Sequence, residues 1–321
     1  MTLQSPPKWG LVSTIKADAE TILNFAAYHL DLGAHRLHLY LDTPNLDAYP
    51  HLKAHPKIRV ATCDDSHWRQ RKKQRPEMHQ VRQTMNATHA YGRMQTDWIA
   101  HIDVDEFIWP NADASDQAQT IAGILASQPM EQDALRMRPV EALAGRPDVY
   151  KSMVLKDENR EQKLRAIYPE FGAFLKGGFL SHTAGKLFAR TGLPDIQFRI
   201  HNLFQHGEKS SREKEQNDLR ICHRHAPSWD NWQATYRFRL AKGSYRPGLN
   251  AGFPRYLGGL SAHELLSMIE ENHGLEGLRR FFEEINAGPP EIYKRLQDRD
   301  MIHHCPLDLE TKRRQHFPQF S

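Results

Sequence analysis

The sequence has few cysteines, no long apolar run and no internal repeat. Its three cysteines, Cys63, Cys222 and Cys305, lie far apart and form no Cys-x-x-Cys pair. This pattern argues against a disulfide framework or a zinc ribbon, and we expect reduced thiols in a cytosolic protein. No apolar run approaches the roughly 20 residues of a membrane span, and residues 1–9 contain no apolar core of a secretory signal. We therefore expect a cytoplasmic protein.

The composition is that of a folded chain with a small excess of positive charge. Of its 321 residues, 39% are hydrophobic and 26% are charged, which excludes a disordered protein. This length suits one large α/β domain with an appendage, or two domains. The net charge of +4 suits an anionic ligand or peripheral association with a membrane surface. We expect no nucleic-acid partner.

The first hundred residues alternate between short apolar runs and amphipathic segments. The predicted strands are residues 10–15, 37–41, 57–62 and 98–103. The first helix is predicted to open at Asp18 or Ala19 and to stop at Gly33, and another to cover residues 76–93. This alternation implies a largely parallel sheet with right-handed crossovers.

Polar residues follow the predicted strands at their carboxyl ends, where a parallel α/β sheet binds its ligand. These residues are Lys16, Asp18, Asp42, Asp64, Asp65, Asp103 and Asp105. Thr14, Lys16 and Asp42 are predicted to surround the base and ribose of a nucleotide, because the first two strands end there.

Asp103 and Asp105 follow the most apolar of these strands. Two carboxylates beyond the end of a buried strand form a hard, oxygen-rich site that suits Mg²⁺ or Mn²⁺ carrying a diphosphate. Acidic pairs are also common on solvated loops, but the strand-end position favours the metal. We expect Asp105, and Asp103 through the ribose or a water, to hold the metal against the donor diphosphate.

The rest of the chain is less regular. Residues 134–139 are predicted to form a strand beside the metal strand, ending at Glu141. Residues 146–163 are predicted to be a polar loop, residues 205–218 an exposed hairpin tip or loose segment, and residues 219–225 a returning strand. Beyond residue 235 the pattern is helical, with Ser261 as a helix cap and with a predicted buried face of Leu265, Leu266, Met268 and Ile269. We predict a catalytic domain over residues 1–235 and a helical extension over residues 236–321.

Several motifs resemble bacterial glycosyltransferases of the family-2-like group. The motifs are Thr14-Ile15-Lys16, Arg82-Gln83 with Asn86-Ala87, Asp103-Val104-Asp105-Glu106-Phe107, His182-Thr183-Ala184-Gly185-Lys186 and Cys222-His223-Arg224-His225-Ala226. The resemblance covers roughly residues 8–240. It implies a GT-A fold, which is a Rossmann-like, mostly parallel sheet flanked by helices. It also implies transfer of a sugar from a nucleotide-sugar donor to a saccharide or glycoconjugate acceptor, with inversion at the anomeric carbon.

The resemblance also assigns expected roles to individual residues. Uridine is the expected base, and Asp18 is expected to accept a hydrogen bond from the base or ribose. Gln83 and Asn86, three residues apart on one helix face, are expected to reach the sugar nucleotide; a solvated helix face is the competing explanation. A histidine from the later segment is expected as a metal ligand. His223 is favoured over His225, because alternation along a strand points only one of them into a site.

Two further polar residues are candidates for the same site. Lys186 follows a glycine that permits close backbone approach, and its charge is suited to a diphosphate. Isolated Gly-Lys pairs are common, and this one lacks the frame of a P-loop. Glu106 is predicted to contact a metal ligand and orient it, without binding the metal itself. Trp229 and Trp232 fit either stacking on a sugar ring or ordinary core packing.

An inverting transfer also needs a carboxylate that removes the proton of the acceptor hydroxyl. Glu141 is the first candidate, because a residue at the end of a strand is rigidly placed. Glu170, in a glycine-flanked loop, is the second, while Asp157 and Glu158 lie in a looser one. The competing explanation for Glu141 is a strand cap or a surface salt bridge with Arg138 or Arg146.

The acidic edge is compatible with other functions. A nucleotidyltransferase or phosphohydrolase uses the same kind of carboxylate cluster for two-metal phosphoryl chemistry. A degenerate carbohydrate-binding protein is the non-enzymatic alternative. The nucleotide product distinguishes these classes, because only glycosyl transfer releases a nucleoside diphosphate from a nucleotide sugar.

Overall fold

The computed structural model describes residues 5–71, 74–113, 116–251 and 258–320. The chain forms two compact units, each built from segments that are distant in the sequence. Unit 1 comprises Met1–Arg138, Gly185–Ile221 and Leu307–Ser321, and unit 2 comprises Pro139–Ala184 and Cys222–Pro306. The predicted division at residue 235 stays a prediction.

Strands and helices alternate over the first part of the described chain. The strands are β1 (Trp9–Ile15), β2 (Arg36–Leu41), β3 (Ile58–Thr62), β4 (Trp98–His101), β5 (Glu106–Pro110), β6 (Ala134–Ala142), β7 (Val149–Lys151), β8 (Lys186–Arg190), β9 (Ile196–Phe198), β10 (Leu203–Gln205), β11 (Glu208–Lys209), β12 (Glu213–His223) and β13 (Ile302–His304). The helices are α1 (Ala19–Asp31), α2 (Ala48–Ala54), α3 (Asp65–Gln70), α4 (His79–Tyr91), α5 (Gln117–Ala126), α6 (Arg160–Ile167), α7 (Trp229–Ala241), α8 (Ala262–Phe282), α9 (Pro290–Gln297) and α10 (Leu309–His316). The predicted α/β class and the helical C-terminal region are confirmed.

The first strand and helix of unit 1 form where the sequence pattern places them. Every residue of β1 is buried. Asp18 caps α1, and its Oδ1 accepts a hydrogen bond from the Thr21 backbone N–H at 2.8 Å, a role that aspartate fills well. The helix ends at Asp31, and Gly33 has a φ of +96° that favours glycine. The predicted start and stop signals are confirmed.

The sheet of unit 1 is mostly parallel. Its strands run in the order β8-β4-β1-β2-β3. The β1–β2, β1–β4 and β2–β3 pairs are parallel, whereas β8 is antiparallel to β4. The predicted mostly parallel sheet is therefore confirmed. The carboxyl ends of β1, β2 and β4 meet at one edge, where a parallel sheet presents its ligand site.

Strand β6 forms as predicted, but its neighbour was predicted wrongly. Ala134 of β6 pairs with Ala189 of β8, and Ala189 pairs in turn with Ile99 of β4. Strand β8 therefore lies between β6 and the strand that leads to Asp103. Alternating apolar residues predict a strand and its buried face, but they do not identify the strand beside it.

The segment 205–218, predicted as an exposed hairpin tip or loose segment, includes the exposed turn of the β10–β11 hairpin, and the predicted polar loop 146–163 contains regular structure. Residues 205–218 contribute to β10, β11 and β12, and residues 146–163 contain β7 and the start of α6. The charges of β12 favoured the loose-segment alternative, but they form ion pairs with β6 on a partly buried strand surface: Arg136 pairs with Glu213, and Arg138 with Glu215. Opposite charges facing each other across strands stabilise such a surface.

Unit 2 has its own apolar core, formed largely by its helices. Helix α8 begins at a capping box, in which Ser261 and Glu264 exchange side-chain and backbone hydrogen bonds, as the predicted cap requires. Leu265, Leu266 and Ile269 are buried as predicted, but Met268 is 44% exposed and does not belong to the buried face. The core also contains Tyr168, Phe171, Trp232, Tyr245, Phe281 and Phe282.

The structure also bears on membrane-spanning helices and on the cysteines, within the described residues. None of their helices combines the length and apolar character that crossing a membrane requires. Cys63, Cys222 and Cys305 are free thiols, and each is buried. Their reduced state in a cytosolic protein stays a prediction.

Acidification is expected to destabilise the protein through histidines buried in the neutral form. Burial lowers the pKa of both His29 and His101 to about 3, although hydrogen bonding raises that of His29 slightly. The unfolded chain binds a proton near pH 6.5 and the folded chain does not. Stability is therefore full above pH 6.5 and falls as the pH drops towards 3. At pH 5.5 each of these two histidines lowers the free energy of unfolding by about 1.4 kcal/mol. Urea unfolding at pH 7.5 and at pH 5.5 measures this loss.

His29 provides a direct test of this dependence. Its Nδ1–H donates to the Phe25 carbonyl at 2.8 Å, and its Nε2 accepts from the Ile108 N–H at 3.3 Å, an arrangement that only neutral imidazole allows. In His29→Gln the free energy of unfolding is expected to depend less steeply on pH, by the slope that corresponds to uptake of about one proton on unfolding. His304→Gln, at an exposed position, is the control. An unchanged slope in His29→Gln would contradict the expectation.

Candidate active site

The Asp103-Val104-Asp105 turn lies at the carboxyl end of β4, within unit 1. It joins β4 to β5 and is closed by two hydrogen bonds between its ends. The Glu106 N–H donates to the Asp103 carbonyl at 3.1 Å, and the Asp103 N–H donates to Glu106 Oε2 at 2.8 Å. Asp103 and Asp105 are both partly exposed. The sheet therefore presents two carboxylates at the edge where the sequence predicts the ligand.

Lys186 joins this turn from β8. Its Nζ lies 2.6 Å from Asp103 Oδ2 and 3.1 Å from Glu106 Oε2, and its side chain is fully buried. Burial alone lowers the pKa of Lys186, but the two carboxylates outweigh it and raise the pKa above its usual value. A Cβ on Gly185 would lie 2.3 Å from the Met137 carbonyl oxygen, so the close approach of β8 requires glycine. The role of Lys186 towards a diphosphate stays a prediction.

Helix α4 supplies two amides to the same edge of unit 1. Gln83 Nε2 donates to Asp103 Oδ1. Asn86 Nδ2 donates to Thr14 Oγ1 at 3.1 Å, and Asn86 Oδ1 lies 2.9 Å from His67 Nε2. Both amides are buried. The competing explanation of a solvated helix face is therefore wrong, and α4 connects the ends of β1 and β4.

The polar residues at and just after the end of β1 have different surroundings: some make contacts within the protein, and one is exposed to solvent. Thr14 is buried and accepts the hydrogen bond from Asn86. Lys16 is exposed. Both oxygens of Asp18 bond to Thr21, one to its backbone N–H and the other to its hydroxyl. Nucleotide contacts of all three residues stay predictions.

Asp42, at the end of β2, is held by basic residues that precede or begin α4. Arg82 bonds to both carboxylate oxygens at 2.7 and 2.6 Å, and Arg75 bonds to Oδ1 at 2.9 Å. Burial raises the pKa of Asp42, but hydrogen bonds from His79 and Arg82 and the charges of both arginines outweigh it and hold the pKa well below its usual range. Sequence reasoning did not assign these partners, because they lie 33–40 residues away from Asp42.

In unit 2, Glu141 is fully buried and engaged in several contacts. Its carboxylate accepts hydrogen bonds from the Leu180 N–H at 3.1 Å and the Ser181 N–H at 2.7 Å. Lys151 Nζ lies 3.4 Å away, and both side chains are fully buried. The suggested surface salt bridge with Arg138 or Arg146 is therefore wrong, since the ion partner is a buried lysine.

Glu170, the other candidate base, lies on the surface of unit 2. It forms an ion pair with Arg280, and both side chains are about half exposed. Asp157, in the looser segment, pairs with Lys163. Trp232 is fully buried and packs in the core with Tyr236 and Phe282. Core packing therefore explains Trp232 within this unit.

Three histidines of unit 2 lie side by side. The ring centroids of His182 and His223 are 5.0 Å apart, and those of His223 and His225 are 5.2 Å apart. Both His223 and His225 are buried. The expectation that alternation separates them was wrong, because residues two apart along a strand point to the same face.

His225 is a neutral member of this histidine group. Its Nε2 lies 3.0 Å from an Arg239 N–H donor and 3.1 Å from the Tyr245 hydroxyl. Burial, together with the neighbouring positive groups, holds the pKa of His225 well below its usual value. His225 Nε2 is therefore engaged by Arg239 and Tyr245, and the choice of His223 as the metal ligand stays a prediction.

Each unit contains groups that suit a divalent cation. They are the carboxylates of Asp105 and Glu106 in unit 1, and the imidazoles of His182, His223 and His225 in unit 2. Carboxylate oxygens suit Mg²⁺ and Mn²⁺, and imidazole favours Mn²⁺ of the two. The carboxylates of unit 1 and the imidazoles of unit 2 each have donor atoms that suit the predicted cation.

This chain is similar to known glycosyltransferases in sequence and in structure. The model of glycosyltransferase family 92 matches residues 12–243. One similar solved structure is the galactosyltransferase LgtC in complex with donor and acceptor sugar analogs, at 14% identity and a TM-score of 0.25; the match covers 56% of this chain and 57% of that chain. Another is S. aureus TarS 1-349, at 12% identity and a TM-score of 0.35, covering 98% of this chain and 89% of that chain. The chain thus spans just over half the length of LgtC, and a search of curated proteins finds no match.

Proposed function

Because this chain belongs to glycosyltransferase family 92, we propose that it transfers a sugar from a nucleotide-sugar donor to an acceptor hydroxyl. The predicted enzyme class is confirmed, and the family is family 92, whereas the sequence motifs resemble the family-2-like group. We propose a UDP-sugar as donor, a saccharide or glycoconjugate as acceptor, and inversion at the anomeric carbon. The cytoplasmic location and peripheral membrane association stay predictions.

The observation that carries this proposal is the organisation of the sheet edge in unit 1. Asp103 is fixed by Gln83 and Lys186 while 29% of its side chain remains exposed. A carboxylate held in this way is a ready acceptor for a hydroxyl of the donor ribose. Thr14, Lys16 and Asp42, the last held by Arg75 and Arg82, lie at the ends of the neighbouring parallel strands. A nucleotide binds to a parallel sheet at this edge.

We propose that Asp105 holds Mn²⁺ or Mg²⁺, whereas a histidine ligand, with His223 favoured, stays a prediction. The partial exposure of Asp105 on the turn supports the role of Asp105, and carboxylate oxygens suit both cations. When bound, the cation offsets the negative charge that develops on the leaving diphosphate. Asp103 orients the ribose, and Glu141 is the proposed base that removes the proton of the acceptor hydroxyl, with Glu170 as the second candidate.

Calorimetry with nucleotides tests the donor proposal without requiring an acceptor. UDP and GDP are titrated into the protein in Mn²⁺ or in EDTA, with UMP as the matched control that lacks the second phosphate. Binding of a diphosphate in Mn²⁺, and weak binding in EDTA or of UMP, is the expected result. Absence of binding to any nucleotide in Mn²⁺ would instead support a degenerate carbohydrate-binding protein.

A further inference from the structure

Lys186 has a second property that binding of a diphosphate does not explain. Its ammonium is fully buried and lies within 2.6 Å of Asp103 and 3.1 Å of Glu106. Glu106 is itself fully buried. The ammonium thus occupies the position between two carboxylates that a divalent cation would take in a two-metal site.

The backbone fixes this position. Lys186 is the first residue of β8, and its neighbour Leu187 pairs with His101 at the end of β4. Gly185 allows β8 to approach β6 so closely that a Cβ would meet the Met137 carbonyl. The opposite oxygen of Asp103 receives the amide of Gln83. Each oxygen of Asp103 therefore has a positive or donor group directed at it.

We propose that Lys186 is a positioning residue that takes the place of a second cation between Asp103 and Glu106. This inference rests on the proposed function, because it concerns the same sheet edge. The fixed ammonium repels a metal ion from the Asp103 oxygens and leaves them to accept a hydroxyl group. The edge then binds one divalent cation, at Asp105, rather than two.

The test replaces the ammonium with a neutral group and counts metal ions. Lys186→Gln leaves two neighbouring carboxylates without their cation, and we expect it to bind one more Mn²⁺ per chain than the parent. Mn²⁺ alone is titrated by calorimetry, and the melting temperature is measured in Mn²⁺ and in EDTA. We expect Mn²⁺ to raise the melting temperature of Lys186→Gln more than that of the parent.

Three matched variants separate this effect from the loss of any buried lysine. Lys186→Gln combined with Glu106→Gln removes one carboxylate as well, and we expect it to bind no additional Mn²⁺. Lys186→Arg retains the positive charge, and we expect it to keep the stoichiometry of the parent. Lys151→Gln removes the other fully buried lysine, which pairs with a single carboxylate, and we expect no new Mn²⁺ site.

Each outcome decides the proposal. An unchanged Mn²⁺ count and an equal thermal shift in Lys186→Gln would overturn it, as would failure of this variant to fold with or without Mn²⁺. Folding only in Mn²⁺ would support it. Failure of the proposed function is distinguishable, because the parent would then bind no nucleotide, whereas the extra Mn²⁺ in the variant is measured without nucleotide.

Discussion

Asp105→Ala is expected to abolish sugar transfer and metal-dependent nucleotide binding while the protein stays folded. Asp105 lies partly exposed on the turn after β4, so its removal leaves the apolar core intact. The proposed cation would lose its carboxylate, and charge stabilisation by a metal is worth several kcal/mol. Since each 1.36 kcal/mol is tenfold in rate, we expect a loss of roughly a thousandfold or more in kcat.

Asp113→Ala is the control, because Asp113 is an exposed carboxylate a few residues further along the chain. The melting temperature of both variants in EDTA is expected to match that of the parent. Calorimetry with UDP in Mn²⁺ separates loss of metal from loss of the nucleotide site. Retention of full activity and Mn²⁺-dependent UDP binding in Asp105→Ala would exclude Asp105 as the ligand.

Glu141→Gln is expected to lower turnover by two to four orders of magnitude, the usual contribution of a general base, while donor and metal still bind. Glutamine keeps the shape of the side chain, but its single carbonyl oxygen can accept from only one of the two N–H groups, because Leu180 and Ser181 donate to different oxygens of Glu141. Glu170→Gln, at the surface, is expected to change the rate little if Glu141 is the base. Single-turnover rates at saturating donor provide the comparison.

Glu141 also has a structural role, because it forms a buried ion pair with Lys151. The effect of Glu141→Gln on stability must therefore be separated from its effect on catalysis. Removing one member of a buried ion pair leaves the other charge uncompensated and is strongly destabilising. The melting temperature of Glu141→Gln is therefore measured beside the rate, and Glu141→Gln with Lys151→Met removes both charges. Normal turnover in Glu141→Gln, or a large loss in Glu170→Gln alone, would show that Glu141 is not the base.

Local signals in the sequence predicted the elements that place this site. Asp18 and Ser261 cap their helices as predicted, because the capping side chain and the N–H it accepts lie three residues apart. The apolar run before Asp103 predicted β4 and the exposed turn after it. These features depend on neighbours within one turn or strand, which a single sequence displays directly.

Contacts between distant residues were beyond the reach of these signals. Lys186 lies 83 residues from Asp103, and nothing in the sequence pairs the two or brings β8 between β4 and β6. The charged residues of β12 resemble a solvated loop until their partners on β6 are known. Residues two apart on a strand share one face, so strand alternation could not separate His223 from His225.

The identity of the nucleotide product tests the central claim most directly. The protein is incubated with UDP-sugars and GDP-sugars in Mn²⁺, and the products are separated by chromatography, with Asp105→Ala as the matched blank. Slow release of UDP or GDP, absent from the blank, is the result that a metal-dependent glycosyltransferase predicts. Release of UMP, GMP or inorganic phosphate instead would contradict sugar transfer and would point to phosphoryl chemistry at the same acidic edge.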